Sequence, residues 1–92
     1  NRLMNIFDLE FIGIACGNYR KSKNIPRHIV ADKTGYTEQM IYKFEKGDST
    51  NLPIFLWYID MGLTFEAMEH YYNMMFVYNK STGEYMKVKI DE

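Results

Sequence analysis

The sequence predicts a single, mainly α-helical domain over residues 1–92, with five helices within 8–75 and a C-terminal β-hairpin over 76–91. Three observations lead there. Apolar residues recur at three- and four-residue spacing as far as Met75, the period of a helix with one buried face. Helix start and stop residues punctuate that pattern, with Thr37 and Thr64 ahead of apolar runs and Gly35, Gly47 and Gly62 behind them. Beyond Met75 the period changes to two: Met86, Val88 and Ile90 alternate with Tyr85, Lys87 and Lys89.

The first helix is expected over residues 8–22, with Asp8 as its cap and Leu9, Ile12, Cys16 and Tyr19 on its packing face. Gly13 and Gly17 each cost helix propensity, roughly 1 kcal/mol relative to Ala. Four residues apart, they share a face. Two readings stand: tolerated glycines, or the close approach of a neighbouring helix. The polar run Arg20–Asn24 reads as a turn. A second helix opens at Ile25-Pro26, where the missing N–H of proline costs nothing, continues through Ile29, Val30, Ala31 and Lys33, and stops near Thr34-Gly35. After the short turn Gly35-Tyr36-Thr37, a third helix spans Thr37–Lys46. Ile41, Phe44 and Glu45 lie toward one side of it, and Gln39, Met40, Tyr42, Lys43 and Lys46 partly or wholly outward. A polar loop, Asp48–Asn51, leads to a fourth helix from Leu52-Pro53 to Gly62. Its run of Ile54, Phe55, Leu56, Trp57, Tyr58, Ile59 and Met61 is apolar nearly all round, the pattern of a buried element. Thr64 caps a fifth helix, Phe65 to about Met75, with Glu66 and Glu69 outward and Met68, Tyr71, Tyr72 and Met75 as its apolar stripe. Phe76–Tyr78 and Tyr85–Ile90 then flank Asn79–Glu84 as a hairpin, which is marginal alone and must pack on the helices or a second copy.

Composition suits one folded domain: 47% of residues are hydrophobic and 25% charged. Aromatic residues reach 16%, and seven Met add adaptable packing. No apolar run is long enough to cross a bilayer, no leader with a cleavage site is evident, and Cys16 alone makes no internal disulfide. A cytoplasmic location is the expectation. The chain opens on Asn1, so the residues ahead of Met4 read as the remnant of a longer polypeptide or an added sequence. Net charge is −1, but its distribution is uneven. From Asn18 to Lys46, seven Lys or Arg face three acids for a net of +4, whereas the rest of the chain nets −5. A basic centre on an acidic frame can orient a protein on a polyanion.

Two short helices joined through a glycine-containing turn form the helix-turn-helix pattern. Glutamine, lysine and tyrosine on the outer side of the second are groups that read base edges or hold phosphates. Over residues 19–68 the chain resembles the phage-repressor and Cro-like (Xre-type) helix-turn-helix family. The resemblance rests on Arg20 late in helix 1, Ile25 opening helix 2, Ala31, the turn Gly35, and Ile41, Phe44, Glu45 and Gly47. Met61-Gly62-Leu63-Thr64 matches a later family stretch. In such a domain Ala31 and Gly35 let the two helices cross closely, and Arg20 pairs with Glu45 as a structural ion pair. The resemblance implies that Glu38, Gln39, Tyr42 and Lys43 read the major groove, and that Arg27, Thr37, Lys46, Thr50 and Asn51 contact DNA phosphates. Three positions depart from the pattern: Glu38 is acidic beside a polyanion, Pro26 replaces the usual Ser, Thr or Asn, and Tyr58 stands where relatives often carry a small residue.

Nothing in the sequence suggests catalysis. His28 and His70 have no ligand partners at metal spacing, Cys16 on an apolar face reads as a small core residue, and no catalytic constellation or phosphate loop stands out. No cofactor or metal is expected. The expected function is a sequence-specific transcriptional regulator, a homodimer on double-stranded DNA that meets its copy through helix 5, the hairpin or both. The alternative is a helix-turn-helix scaffold used to bind a protein, such as a small phage factor acting on host transcription.

Overall fold

The computed structural model describes residues 9–79 and 84–89, with side chains through Met74. Among them are α1 (Leu9–Ser22), α2 (Arg27–Thr34), α3 (Glu38–Lys46), α4 (Leu52–Asp60), α5 (Phe65–Tyr72), β1 (Met74–Asn79) and β2 (Glu84–Lys89). The fold is mainly helical. The expected Asp8 cap, the connection 80–83 and Ile90 lie outside the described residues. The two strands pair antiparallel, with Met74 opposite Lys89 and Tyr78 opposite Tyr85.

Capping residues fix where the helices begin. The hydroxyl of Thr37 accepts from Met40 N at 3.2 Å, and that of Thr64 accepts from Ala67 N at 3.2 Å. Asn51 Oδ1 does the same for α4, accepting from Ile54 N at 3.0 Å. Each satisfies one of the backbone donors that a helix start leaves open. Pro26 precedes α2 without a side-chain bond, so helix 2 starts two residues later than Ile25. The turn after α1 is shorter than expected. Arg20–Ser22 are still helical, and Asn24 makes the reversal at φ 58°, a conformation Asn tolerates better than most residues.

α1 lies at the centre, packed against α3 on one side and α5 on the other. Its buried residues run Phe11, Gly13 and Ala15 through Arg20, so it is covered nearly all round. Leu9 and Ile12, expected on the packing face, are only partly buried, and Phe11 and Ala15 take the deeper positions. The shared core adds Val30, Ile41, Phe44, Ile54, Tyr58, Leu63 and Met68. Rings fill the spaces between helices. Phe11 meets Tyr72 with centroids 5.0 Å apart, and Tyr19 meets Tyr71 edge-on at 5.2 Å.

Of the two readings for the α1 glycines, close approach holds. A Cβ on Gly13 would collide with the Phe44 carbonyl oxygen and lie 2.9 Å from that of Glu45. A Cβ on Gly17 would sit 3.3 Å from the Glu45 side chain. Gly35 is different from what the sequence suggests. A Cβ there would have nothing within 4 Å, so it does not thin a helix crossing. It ends α2 at φ 81°, and its N–H donates to Ala31 O, a left-handed cap that favours glycine.

Two other expectations are corrected. α4 is not a buried element: only Ile54 and Tyr58 are buried, whereas Leu52 is 64% and Leu56 52% exposed. A continuous apolar sequence does not reveal whether its second face has a partner. α5 ends at Tyr72 rather than near Met75, because the amide of Asn18 draws the chain away. Its Nδ2 donates to the carbonyls of Tyr71 at 2.7 Å and Met74 at 2.5 Å. The Asn73 N–H closes the helix on Glu69 O and Tyr71 O.

Gly13→Ala is expected to destabilise the fold by about 2–3 kcal/mol, because backbone atoms on α3 cannot yield as a side chain would. Urea unfolding measures it. A midpoint indistinguishable from that of the unsubstituted chain would mean that α1 and α3 are not in contact here.

Candidate functional site

The surface that the sequence singles out is the outer side of α3, and its usefulness depends on how the inner side is held. Ile41, Phe44 and Glu45 are the buried residues of this helix. Ile41 and Phe44 enter the shared core, with the Phe44 ring stacked near that of Tyr58 at 6.2 Å and 13° between planes. Gly47 terminates the helix at φ 85°, its N–H donating to Lys43 O and Phe44 O.

Glu45 is the electrostatic centre. Arg20 approaches it as a fork, Nε donating to Oε2 at 2.7 Å and Nη2 to Oε1 at 3.0 Å. The remaining Nη1 of Arg20 donates to Ile25 O at 2.9 Å, which ties the same guanidinium to the turn before α2. The Tyr58 hydroxyl donates to Oε2 at 2.5 Å, and Arg27 Nε to Oε1 at 3.3 Å. One carboxylate thus joins α1, α2, α3 and α4. Its side chain is 7% and that of Arg20 6% exposed, so both charges are desolvated and depend on this mutual satisfaction. Among the described residues, no buried side-chain nitrogen or oxygen lacks a hydrogen-bond partner.

The expected Arg20–Glu45 pair is therefore present; unforeseen are the donors that Tyr58 and Arg27, the latter expected only at DNA phosphate, bring to the same carboxylate and, away from it, the buried amide of Asn18. Tyr58, expected as one of the apolar residues of its helix, brings its hydroxyl to Glu45. Burial, and then the Glu45 charge, push its phenol well above the usual range, which keeps it protonated as a donor. Asn18 is buried at 7% exposure, and nothing in its sequence neighbourhood marks it. Cys16 lies beside this cluster as a buried core thiol. Burial, and then Glu45, push it above the ordinary thiol range.

On the outer side, Glu38, Gln39, Tyr42, Lys43 and Lys46 are all exposed. Gln39 and Lys43 are one turn apart and share a face, as are Glu38 and Tyr42. Tyr42 is more engaged than a base reader needs to be. Arg27 Cζ lies 5.0 Å and Lys46 Nζ 5.2 Å from its ring centroid, both within cation–π range. Lys46 also pairs with Asp48 at 3.3 Å, both half exposed. Thr37 caps its own helix, yet a hydroxyl that accepts from Met40 can still donate its proton. Asn51 uses Oδ1 as the cap of α4 and retains its amide group, and Thr50 is exposed in the loop beside it. His28 and His70 are both exposed, and no cluster of metal-ligating side chains occurs among the described residues.

Arg20→Met is expected to cost about 3–5 kcal/mol by leaving Glu45 buried with too few donors, and Tyr58→Phe about 1.5–3 kcal/mol. Urea unfolding reads both, and the double variant should fall short of the sum, since the two donors serve one carboxylate. Full additivity would show that they act separately. No helix among the described residues is long and apolar enough to cross a membrane. No family model, curated protein or solved structure matches this chain, so the reading of its surface rests on the geometry of its own residues.

Proposed function

We propose that the protein is a sequence-specific DNA-binding transcriptional regulator in which α2, the turn and α3 form a helix-turn-helix. The domain would be repressor-like, with the C-terminal strands as its hairpin extension. The observation that carries this reading is the division of α3 into two sides. One is locked by Glu45. The other presents Glu38, Gln39 and Lys43, whose side chains make no hydrogen bond among the described residues, with cationic Arg27 and Lys46 beside them. A rigid helix with polar groups on its outer face and flanking cations matches the division of labour at a major groove, where side chains read bases and cations position the backbone. Glu38 has one productive role there, accepting from a cytosine amino group.

Self-association is part of the reading. Leu52 (64%), Leu56 (52%), Met61 (45%) and Phe65 (65%) are large apolar side chains left open to water, and Phe65 packs beside Phe55 at 6.0 Å. A second copy covering this stripe would place the dimer contact on α4 and the first residue of α5. Two α3 helices would then address a two-fold symmetric site. The same stripe also favours the second reading, a scaffold that binds another protein, because exposed apolar patches mark protein contacts in general.

Duplexes selected from a random pool should be bound with sequence preference, and Gln39→Ala/Lys43→Ala should erase about ten- to a hundredfold of that preference in gel shifts. Preference retained in the double variant would rule out α3 as the reader. Sedimentation should show a dimer that Leu56→Asp/Phe65→Asp converts to a monomer. A chain that is monomeric and binds no duplex even at low salt, yet holds one protein partner through the stripe, would establish the second reading instead.

A further inference from the structure

A cavity of about 230 Å³ opens between the start of α1, the end of α3 and the start of α4. Leu9, Ile12, Phe44, Leu52 and Phe55 give it an almost wholly apolar wall, which residues 49–51 of the loop complete. It is continuous with the exposed apolar stripe. Leu52 belongs to both, and Phe55 lines the cavity while its ring lies 6.0 Å from that of Phe65. We propose that the cavity receives the Phe65 ring of a second copy, so that each copy inserts its ring into the other. The proposal deepens the self-association reading and rests on it: the stripe calls for a cover, and the cavity sets the register in which a copy provides it.

Size and exposure suit the ring. An apolar cavity of about 150 Å³ holds a benzene molecule, so this one takes a phenyl group together with its Cβ. Phe65 is the most exposed large apolar side chain among the described residues. Its backbone is nevertheless held, because it is the first residue of α5 and follows the Thr64 cap that accepts from Ala67 N. A ring on a fixed helix start has little freedom to lose when it is inserted.

Symmetry points to a second copy as the occupant. A two-fold contact pairs one patch with itself, so the patch must carry a projection and a recess that fit each other. This surface has both, with Phe55 between them. A partner of another sequence would need only one of the two. An axis passing near Phe55 exchanges ring and cavity between the copies, and Leu52 and Leu56, one turn apart on α4, cover the area between. Asp60 and Glu66 are exposed carboxylates of the same two helices, and at the rim of such a contact their like charges stay in water and are screened by salt. Phe44 gives the insertion a further consequence. It lines the cavity and also anchors α3 in the core, so the inserted ring ties the partner directly to the helix proposed to read DNA.

Two measurements on the full chain test the proposal. In a dimer mixed from isotope-labelled and unlabelled copies, filtered NOE spectra should connect the Phe65 ring of one copy with the Leu9 and Ile12 methyl groups of the other. Sedimentation equilibrium should show that Ser49→Phe, which puts a ring of the chain's own at the cavity, weakens the dimer about thirtyfold while its helix content is kept. Intermolecular contacts together with a weakened variant support the proposal, and if Ser49→Phe does not fold the contacts alone decide. A dimer in which those methyl groups meet only their own copy overturns the proposal and leaves the stripe as the dimer contact. So does a folded Ser49→Phe that dimerises as tightly as the unsubstituted chain. A chain that stays monomeric at the concentrations of the NMR measurement overturns both the proposal and the self-association reading.

Discussion

A single carboxylate organises this domain. Glu45 sits near the end of α3 with its charge withdrawn from water, and the donors around it come from α1, α2 and α4. Desolvating a carboxylate and a guanidinium is costly, and a pair of this kind is weak grounds for stability by itself. What it supplies is definition. Apolar contacts such as Phe44 against Tyr58 tolerate sliding and repacking, whereas a fork of hydrogen bonds completed by a phenol is satisfied in one arrangement only. Arg20 extends the constraint by holding Ile25 O, so the turn between α1 and α2 is set by the same group that sets α3.

The close approach of α1 and α3 is what allows that cluster to form. Gly13 removes the side chain at the point where the backbone of α3 passes, and Gly17 leaves room beside Glu45 itself. The two glycines weaken α1 as an isolated helix, and the loss is offset by the contact they permit. On the opposite side of α1, Asn18 binds the carbonyls of Tyr71 and Met74, which joins α1 to the point where helix gives way to strand. α1 is thus tied by polar bonds on two sides and by aromatic packing between them.

Much of the helical pattern was legible because it depends on local chemistry. Thr37, Thr64 and Gly47 announce their helix ends through the backbone groups they satisfy, and the Arg20–Glu45 pair followed from a family resemblance. What escaped notice is tertiary. The unbroken apolar run of α4 suggested burial, but whether the faces around Leu52 and Leu56 are covered depends on neighbours that local pattern does not specify. The end of α5 depends on Asn18, more than fifty residues earlier in the chain. Tyr58 looked like an oversized core residue because the partner of its hydroxyl lies on another helix. Among the candidate site residues, Glu38, Gln39 and Lys43 emerge on an outer face as the helical period requires. By contrast, the association of Tyr42 with Arg27 and Lys46 brings together two helices and could not be read from spacing within either one.

The way α3 is anchored also bears on how such a protein can change over generations. The groups that fix its position are on one side, at Ile41, Phe44 and Glu45, and those facing outward contribute little to folding. Substitutions at exposed positions of this kind usually alter stability by less than about 0.5 kcal/mol. Glu38, Gln39 and Lys43 are therefore free to vary without endangering the scaffold. A lineage carrying this domain can exchange the residues of that outer face while the carboxylate at its centre stays where it is.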